Sequence, residues 1–580
     1  VKRKEATMKH SKRRQFGIGL LAALAAGVLF LPQKAKLEDR GFRQMSQILP
    51  YISPGETHPK VESRLWQLAL GNPATETPNE NLLSYPFNPK FERPSVRIVL
   101  DTQGRPGSRQ NLQNALLAQN AIVYLGGQIE TSYGSLFQSV VPIEALPALA
   151  DLPSVRFIRL PRFPVPTAGS VTAEAVAKTG ADIWQSLSPY RSLGAKICVL
   201  DLGFKDYQKL LGSELPSTVT ARSFRADGDI EAGQLHGTAC AEVVHDMAPD
   251  AELFLVNFGT DVEFHNAVDW IINQGLDVIS CSVGWHNMGA GNGTGPICED
   301  VKKAVAKGIA WVNTAGNDGE SHWEGTFYDP DGNNWHNFSG PIDVLEFSVS
   351  AGDLFGVFLN WDDWGTWDGT RYTGSSLNYD VLVWVMSNGG ASWIFAGSEN
   401  VQNGTQWPVE ETGYITSPSD LRLGIAIGKK SAGRNANLEV FVSVLKNVGG
   451  YFVSQNPALS FSTPSGSLLV PADSADAIAV GDAGDDDVFR PSSGQGPTKD
   501  GRVKPDISAP SGASTATLGP KAFWGNSATT ATVAGAIALL KGKTPYKPTQ
   551  IWAILEKTAI DLGVAGKDNQ FGAGRLNLKK

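Results

Sequence analysis

Ala195-Lys196-Ile197-Cys198-Val199-Leu200-Asp201-Leu202-Gly203 is an apolar run that ends on a carboxylate. Its length, its β-branched content and the glycine on either side predict a buried strand over 195–200. His236-Gly237-Thr238-Ala239-Cys240-Ala241-Glu242-Val243-Val244 follows 35 residues later (236 − 201) and predicts a helix over 237–245. The alternation then repeats. Further strands are predicted at 252–258, 277–283, 309–314 and 477–481, and further helices at 262–274, 299–307 and 527–540. Strands alternating with helices over such a span imply an α/β fold, a mostly parallel sheet covered on both faces. Such sheets present ligand sites beyond the C-terminal ends of their strands, where Asp201 falls.

Outside this pattern the chain changes character twice. Residues 40–90 are rich in Pro, Asn and Ser and read as a linker or wrap. Between 95 and 160, strands are predicted at 96–101, 121–124 and 155–160, with helices at 111–119 and near 143–150. This is a ferredoxin-like α+β pattern. Between 321 and 465 the helical period vanishes. Short alternating runs such as 357–361, 379–384 and 438–444 sit between Gly/Asn/Ser turns, with Trp323, Trp335, Trp361, Trp364, Trp367, Trp384, Trp393 and Trp407 among them. That reads as an inserted β-sandwich, its tryptophans a core payload by default. The expected domains are 1–40, 41–166, 167–320, 321–465 and 466–580, the α/β body being split by the insert.

The composition bounds the function. The chain has 580 residues, 42% hydrophobic and 19% charged, with 62 Gly and 34 Pro. Disordered, collagenous and multi-span membrane classes are excluded. A net charge of −8 argues against a broad nucleic-acid surface, so no nucleic-acid partner is expected. Four cysteines without C-x-x-C spacing make no disulfide framework; buried free thiols are expected, with a Cys281–Cys298 pair left open. A positive cluster at 9–14 precedes a short apolar run at 16–31, the pattern of an export signal or an uncleaved N-terminal anchor. A secreted or extracytoplasmic protein is therefore expected.

Three positions carry nucleophilic chemistry. Asp201 ends a strand, His236 opens a helix, and Ser527 in Phe523-Trp524-Gly525-Asn526-Ser527-Ala528-Thr529 opens another. A serine hydroxyl is a poor nucleophile until an imidazole takes its proton, and a carboxylate behind the ring fixes the tautomer. Asn313-Thr314-Ala315-Gly316-Asn317 ends a strand and offers a side-chain amide as oxyanion donor. Each residue alone has a plainer reading as a cap or turn residue. The combination, each at the appropriate end of its element, is far more specific. His245 is a rival base nine residues on (245 − 236), read as structural. No H-E-x-x-H occurs, and no G-x-S-x-G surrounds Ser527, which argues against a zincin and an esterase of the α/β-hydrolase type.

At this level the chain resembles the subtilase family of serine peptidases, whose triad runs in the order Asp, His, Ser. Residues 489–510, 277–285 and 570–577 match further family motifs. The resemblance implies a subtilisin-like parallel sheet with Asp201, His236 and Ser527 as triad and Asn317 as oxyanion donor. It implies that Ser282, Val283 and Gly284 pair with substrate backbone, and that Ala315 and Gly316 line the pocket before the scissile bond. It implies a serine endopeptidase acting on proteins or peptides. The enzyme would be made as a precursor whose ferredoxin-like prodomain inhibits the cleft and is cut near 161–175, and would act as a monomer. No cofactor is required for the chemistry. Asp362, Asp363 and Asp380 leave a structural calcium open, although turn roles weigh more. Asn526 stands where the family usually has Thr, Ala531 where it has Pro, and Leu202 where Ser or Thr is frequent. The alternatives are a catalytically impaired protein-binding module on this fold and a serine esterase.

Overall fold

The computed structural model describes residues 58–70, 95–104, 108–162, 165–166, 173–186, 192–387, 390–448, 451–543 and 546–579. The export or anchor segment expected at 1–40 lies outside them, as does most of the maturation stretch. Part of the expected linker is ordered. Ser63–Ala69 is a helix (α1), and Val61 and Leu65 are buried in the first domain's core. The leucine in that short turn has a hydrophobic cluster to join, which a free linker would lack.

Ser95–Thr102 (β1) sends Val96, Ile98 and Leu100 into that cluster. Arg109–Tyr124 (α2) follows, its first turn capped by the Ser108 side chain, which accepts from the Asn111 N–H. The strand predicted at 121–124 is the last turn of this helix. Ala118 and Ile122, four apart, share its buried face. The strand is instead the polar Gln128–Tyr133 (β2), paired to Leu136–Pro142 (β3). Leu146–Ala150 (α3) and Val155–Arg159 (β4) complete the unit. The antiparallel order β2-β3-β1-β4 is the ferredoxin-like arrangement. Val165–Pro166 (β5) then leaves it.

The α/β body begins with Lys196–Asp201 (β6), Thr220–Ser223 (β7), the helix His236–Met247 (α4) and Glu252–Asn257 (β8). It continues with Asp261–Asn273 (α5), Val278–Cys281 (β9), Val283–Gly284 (β10), Pro296–Ala306 (α6) and Ala310–Thr314 (β11). The chain then enters the insert through His322–Thr326 (β12), Leu345–Val349 (β13), Leu354–Trp361 (β14), Tyr379–Ser387 (β15) and Gly390–Ser398 (β16). Val409–Glu411 (β17), Ile415–Thr416 (β18), Leu421–Lys429 (β19), Asn437–Val448 (β20) and Tyr451–Ser454 (β21) finish it. The body resumes with Ala477–Asp482 (β22), Ile507–Ala509 (β23), a small hairpin of Ala513–Thr515 (β24) and Gly519–Phe523 (β25), and the helix Asn526–Lys543 (α7).

The body's sheet is parallel throughout, in the order β23-β22-β11-β9-β6-β8-β7. Along β6 the side chains alternate between two cores. Ile197 and Val199 face α4 and α7, whereas Cys198 and Leu200 face α5 and α6. That is why the strand reads as an unbroken apolar run: both faces are covered. Helix α7 is buried on every side over 526–540, with Ala528, Val533, Ile537 and Leu539 fully buried, and so lies at the centre of its layer. Its threonines are buried without penalty because Thr529 and Thr530 donate back to the Asn526 carbonyl and Thr532 to that of Ala528. A Cβ on Gly535 would meet the Met247 Cβ at 2.5 Å, so the glycine permits the close approach of α7 and α4.

The insert is a β-sandwich. One sheet is ordered β12-β20-β14-β17, with β18 on β14 and β21 on β20; the other is β13-β19-β15-β16. Phe355, Val357, Leu359 and Trp361 of the first face Val381, Val383, Ile425 and Ile427 of the second. Trp323 and Trp361 are core residues, whereas Trp393 is exposed. The three aspartates considered for calcium do not converge. Asp362 pairs with Arg434 at 2.7 Å, Asp363 accepts from Ser375, Ser376 and Leu377 around one turn, and Asp380 pairs with Lys430 at 2.9 Å. All four cysteines are buried free thiols; Cys281 and Cys298 are not bonded.

Candidate active site

Asp201 is the last residue of β6 and His236 the first of α4, and the two elements meet closely. A Cβ on Gly237 would lie 2.5 Å from the Gly203 carbonyl and 2.9 Å from the Asp201 Cβ. Glycine there lets the ring reach the carboxylate. His236 Nδ1 lies 2.9 Å from each Asp201 oxygen, and Nε2 lies 3.0 Å from Ser527 Oγ. An ionised carboxylate only accepts, so it assigns the ring proton to Nδ1 and makes Nε2 the acceptor for the serine hydroxyl. Asp201 is fully buried and also accepts from the Leu202 N–H at 2.8 Å. Phe523 sets its ring edge-on to the imidazole. The three residues predicted as a triad are therefore in one hydrogen-bonded line.

Ser527 is the second residue of α7, so its N–H is among the four that have no acceptor within the helix. The helix dipole adds positive potential there. Asn317 Oδ1 accepts from the Asn526 N–H at 3.1 Å. This caps the helix and fixes the amide, leaving Nδ2 as the end that can donate beside Ser527. Asn526, the departure from Thr, has its own task. Its Nδ2 donates to the Gly316 carbonyl at 2.7 Å and to Ser493 Oγ at 3.1 Å, tying the serine turn to the Ala315–Gly316 turn. Ala531 and Leu202, the other two departures, are core residues.

Ser282 donates to the Ser527 carbonyl at 3.3 Å, and the Ser282 carbonyl lies 3.4 Å from Ser527 Oγ. Val283 and Gly284 form β10, separate from β9, and pair antiparallel with β5: Val283 opposite Pro166, Gly284 opposite Val165. Ala315 and Gly316 are buried; the Leu469 N–H donates to the Ala315 carbonyl, and Leu469 packs against Gly316. His245 has no part in the site. Its Nδ1 is buried without a partner among the described residues, and burial lowers its pKa. Sequence reasoning missed Ser493, as it did Asp318 and His286, which face each other at 3.1 Å behind the Asn317 turn. A buried serine inside a loop has no periodic signature, so only the fold could reveal it.

The ferredoxin-like domain packs on α5. Arg159 pairs with Asp261, Gln138 Nε2 donates to Glu263 at 3.1 Å, Thr260 donates to Gln138 at 2.7 Å, and Tyr133 stacks on His265. It also touches the insert. The Ser63 N–H donates to Asn400 at 2.8 Å, Gln406 donates to the Pro59 carbonyl at 2.6 Å, and Arg162 pairs with Glu411 while lying over the Trp407 ring. Among the described residues, two groups of potential metal ligands converge: Asp201–His236–Cys240 and His322–Glu324–Glu439. The first includes the Asp201–His236 hydrogen-bonded line. In the second, Lys499 pairs with both glutamates.

Subtilisin DY of Bacillus licheniformis is 28% identical over 150 residues, covering 24% of this chain and 52% of that protein. The extracellular serine protease of Serratia marcescens is 52% identical over 48 residues, 8% of this chain and 5% of that one. The chain thus spans about half the length of the first and a small part of the second. Among solved structures, the CspB protease of Clostridium perfringens aligns with a TM-score of 0.45 at 12% identity over 70% of this chain and 95% of that one. Fervidolysin from Fervidobacterium pennivorans aligns with a TM-score of 0.37 at 13% identity over 86% and 64%. The model of the subtilase family, Peptidase_S8, matches residues 192–344 and 383–574, and the chain belongs to that family.

Proposed function

We propose that this chain is a serine endopeptidase that cleaves protein or peptide substrates through an acyl-enzyme on Ser527. The observation that carries the reading is the line from Asp201 through His236 to Ser527. His236 Nε2 takes the Ser527 proton as Oγ attacks the carbonyl, and Asp201 stabilises the imidazolium. The developing oxyanion takes hydrogen bonds from Asn317 Nδ2 and the Ser527 N–H. His236 then gives its proton to the leaving amine, and water repeats the sequence on the ester. The chemistry needs no cofactor. With the hydrogen-bonded line intact, nothing favours a catalytically impaired binding module.

The same reading makes residues 95–160 an inhibitory prodomain. Its support is β5, which follows that domain and lies on Val283–Gly284 in the antiparallel manner of a bound peptide. The register sets Pro166 opposite Val283, one residue from Ser282, so the maturation cut is proposed to follow Pro166, inside the expected stretch near 161–175. The N-terminal charge and apolar pattern supports export of the precursor, and the Serratia relative is itself named extracellular. A monomer with no nucleic-acid partner completes the proposal. The test is to express the full chain beside Ser527→Ala and to sequence the N-terminus of each product. The wild type should shorten to a new terminus between Pro166 and about residue 176, while the variant stays at precursor length. Equal processing of both would contradict autocatalysis.

A further inference from the structure

The oxyanion turn is joined to the insert more tightly than a bare connection requires. Asn317 lies five residues before the first insert strand at His322 (322 − 317). The intervening backbone is stitched into the sandwich: the Val442 N–H donates to the Ser321 carbonyl at 3.0 Å and the Leu459 N–H to the Glu320 carbonyl at 3.0 Å. One side chain reaches the turn itself. Asn456, just after β21, accepts from the Val444 N–H at 3.0 Å, which orients its amide. Its Nδ2 then donates to the Asn317 carbonyl at 3.3 Å and to Asp318 Oδ1 at 3.0 Å. Asp318 is fully buried, and the same oxygen faces His286 Nε2 at 3.1 Å. The His286 ring stacks on Phe358 of β14, 4.4 Å between centroids. Both the carbonyl of the oxyanion residue and the carboxylate beside it are thus held from the insert.

We infer that Asn456 is a positioning residue for the oxyanion donor, and that through it the inserted sandwich sets the geometry of the Asn317 amide. The inference rests on the peptidase reading above. The physical reason is the narrow tolerance of such donors: they stabilise the oxyanion only at hydrogen-bonding distance from where it forms. Displacement by about 1 Å can cost as much as 10²-fold. Without Asn456, the Asn317 carbonyl and Asp318 Oδ1 each lose a donor, and the turn that aims Nδ2 loses its link to β20.

The test is a double-mutant cycle on the full chain with a chromogenic peptide substrate. Rates are referred to sites titrated to completion by a fluorophosphonate, so that any misfolded fraction drops out. Asn456→Ala should lower kcat roughly tenfold with KM within about twofold. Asn317→Ala should lower kcat by about 10²–10³. Adding Asn456→Ala to Asn317→Ala should change kcat by less than about twofold, because the group being positioned is gone. Should Asn456→Ala fail to accumulate, Asn456→Asp, which keeps the acceptor for Val444 and removes the donor, replaces it. An equal loss in both backgrounds, a change confined to KM, or no loss would overturn the positioning role. A wild type that titrates no sites and turns nothing over would instead overturn the peptidase reading and this inference with it.

Discussion

The parallel sheet and the inserted sandwich use their buried polar groups in opposite ways. In the α/β body one set of buried polar groups converges on one place, the ends of β6, α4 and α7, where Asp201, His236 and Ser527 meet. In the sandwich, buried charges are dispersed and serve packing. Glu439 accepts from Asn360 and His322 and pairs with Lys499 from the body. Burial pushes its carboxyl up, but the Lys499 charge and the His322 contact outweigh that and hold it well below the usual range. Burial raises Asp380 to about 7 despite Lys430, and burial lowers His336 to about 4. Damage to that converging set should therefore appear as lost rate. Damage to those of the insert should appear as lost stability, Asn456 being the proposed exception.

The largest expected effect breaks the first half of that contrast. Ser527→Ala or His236→Ala should cost about 10⁶-fold in kcat and Asp201→Asn about 10⁴-fold. Thermal unfolding of each variant should stay close to the wild type. An equally stable variant that kept most of its rate would show that the line of contacts is not the catalytic one. Removing the cation that the body supplies to the insert's buried Glu439 tests the second half. Lys499→Met leaves the buried Glu439 without its partly solvent-exposed cation and, because water screens that side of the pair, should cost about 1–2 kcal/mol by denaturant unfolding. Protein that still folds should keep its kcat.

The third prediction concerns acid. His336 sits among Trp323, Phe327 and Phe338, its Nδ1 accepts from the Tyr328 N–H at 3.0 Å, and its Nε2 is buried without a partner among the described residues. Only the neutral ring suits that site. Its folded pKa of about 4 lies below the ordinary 6.5, so its stabilisation is complete above about pH 6.5 and is lost as pH falls through about 4. The swing is up to about 3 kcal/mol. Tryptophan fluorescence should report insert unfolding across that window, and His336→Phe should flatten the dependence. The smallest effect is expected from thiol chemistry. Burial raises the pKa of all four cysteines, so neither reductant nor iodoacetamide should change activity, and substantial inactivation would show a thiol exposed near the site.

The same contrast explains how much was legible in the sequence. The sheet strands lie between two helical layers, so β6, β8, β9, β11 and β22 read as apolar runs and their bounds fell within a residue or two of expectation. The residues proposed as catalytic sit at strand and helix ends, where spacing alone carries information. Exposed or very short elements left no such mark. In Thr220–Ser223, three of the four residues are exposed, and Ile507–Ala509 is only three residues long. In the first domain, Ile122, Val123 and Tyr124 looked like a strand because β-branched and aromatic residues favour one, yet Val123 and Tyr124 face solvent at the end of α2. Asn456 was invisible for a different reason. Its value comes from a contact 139 residues away in the chain, at Asn317, and no local pattern encodes that.

The central claim is that Ser527 is a nucleophile activated by His236 and Asp201. The most direct measurement is to react the full chain with a fluorophosphonate and map the adduct by peptide mass spectrometry. The account predicts one adduct, on Ser527, formed rapidly in the wild type and slowed at least about 10³-fold in His236→Ala. An adduct on another residue, or equal labelling of Ser527 without His236, would contradict it.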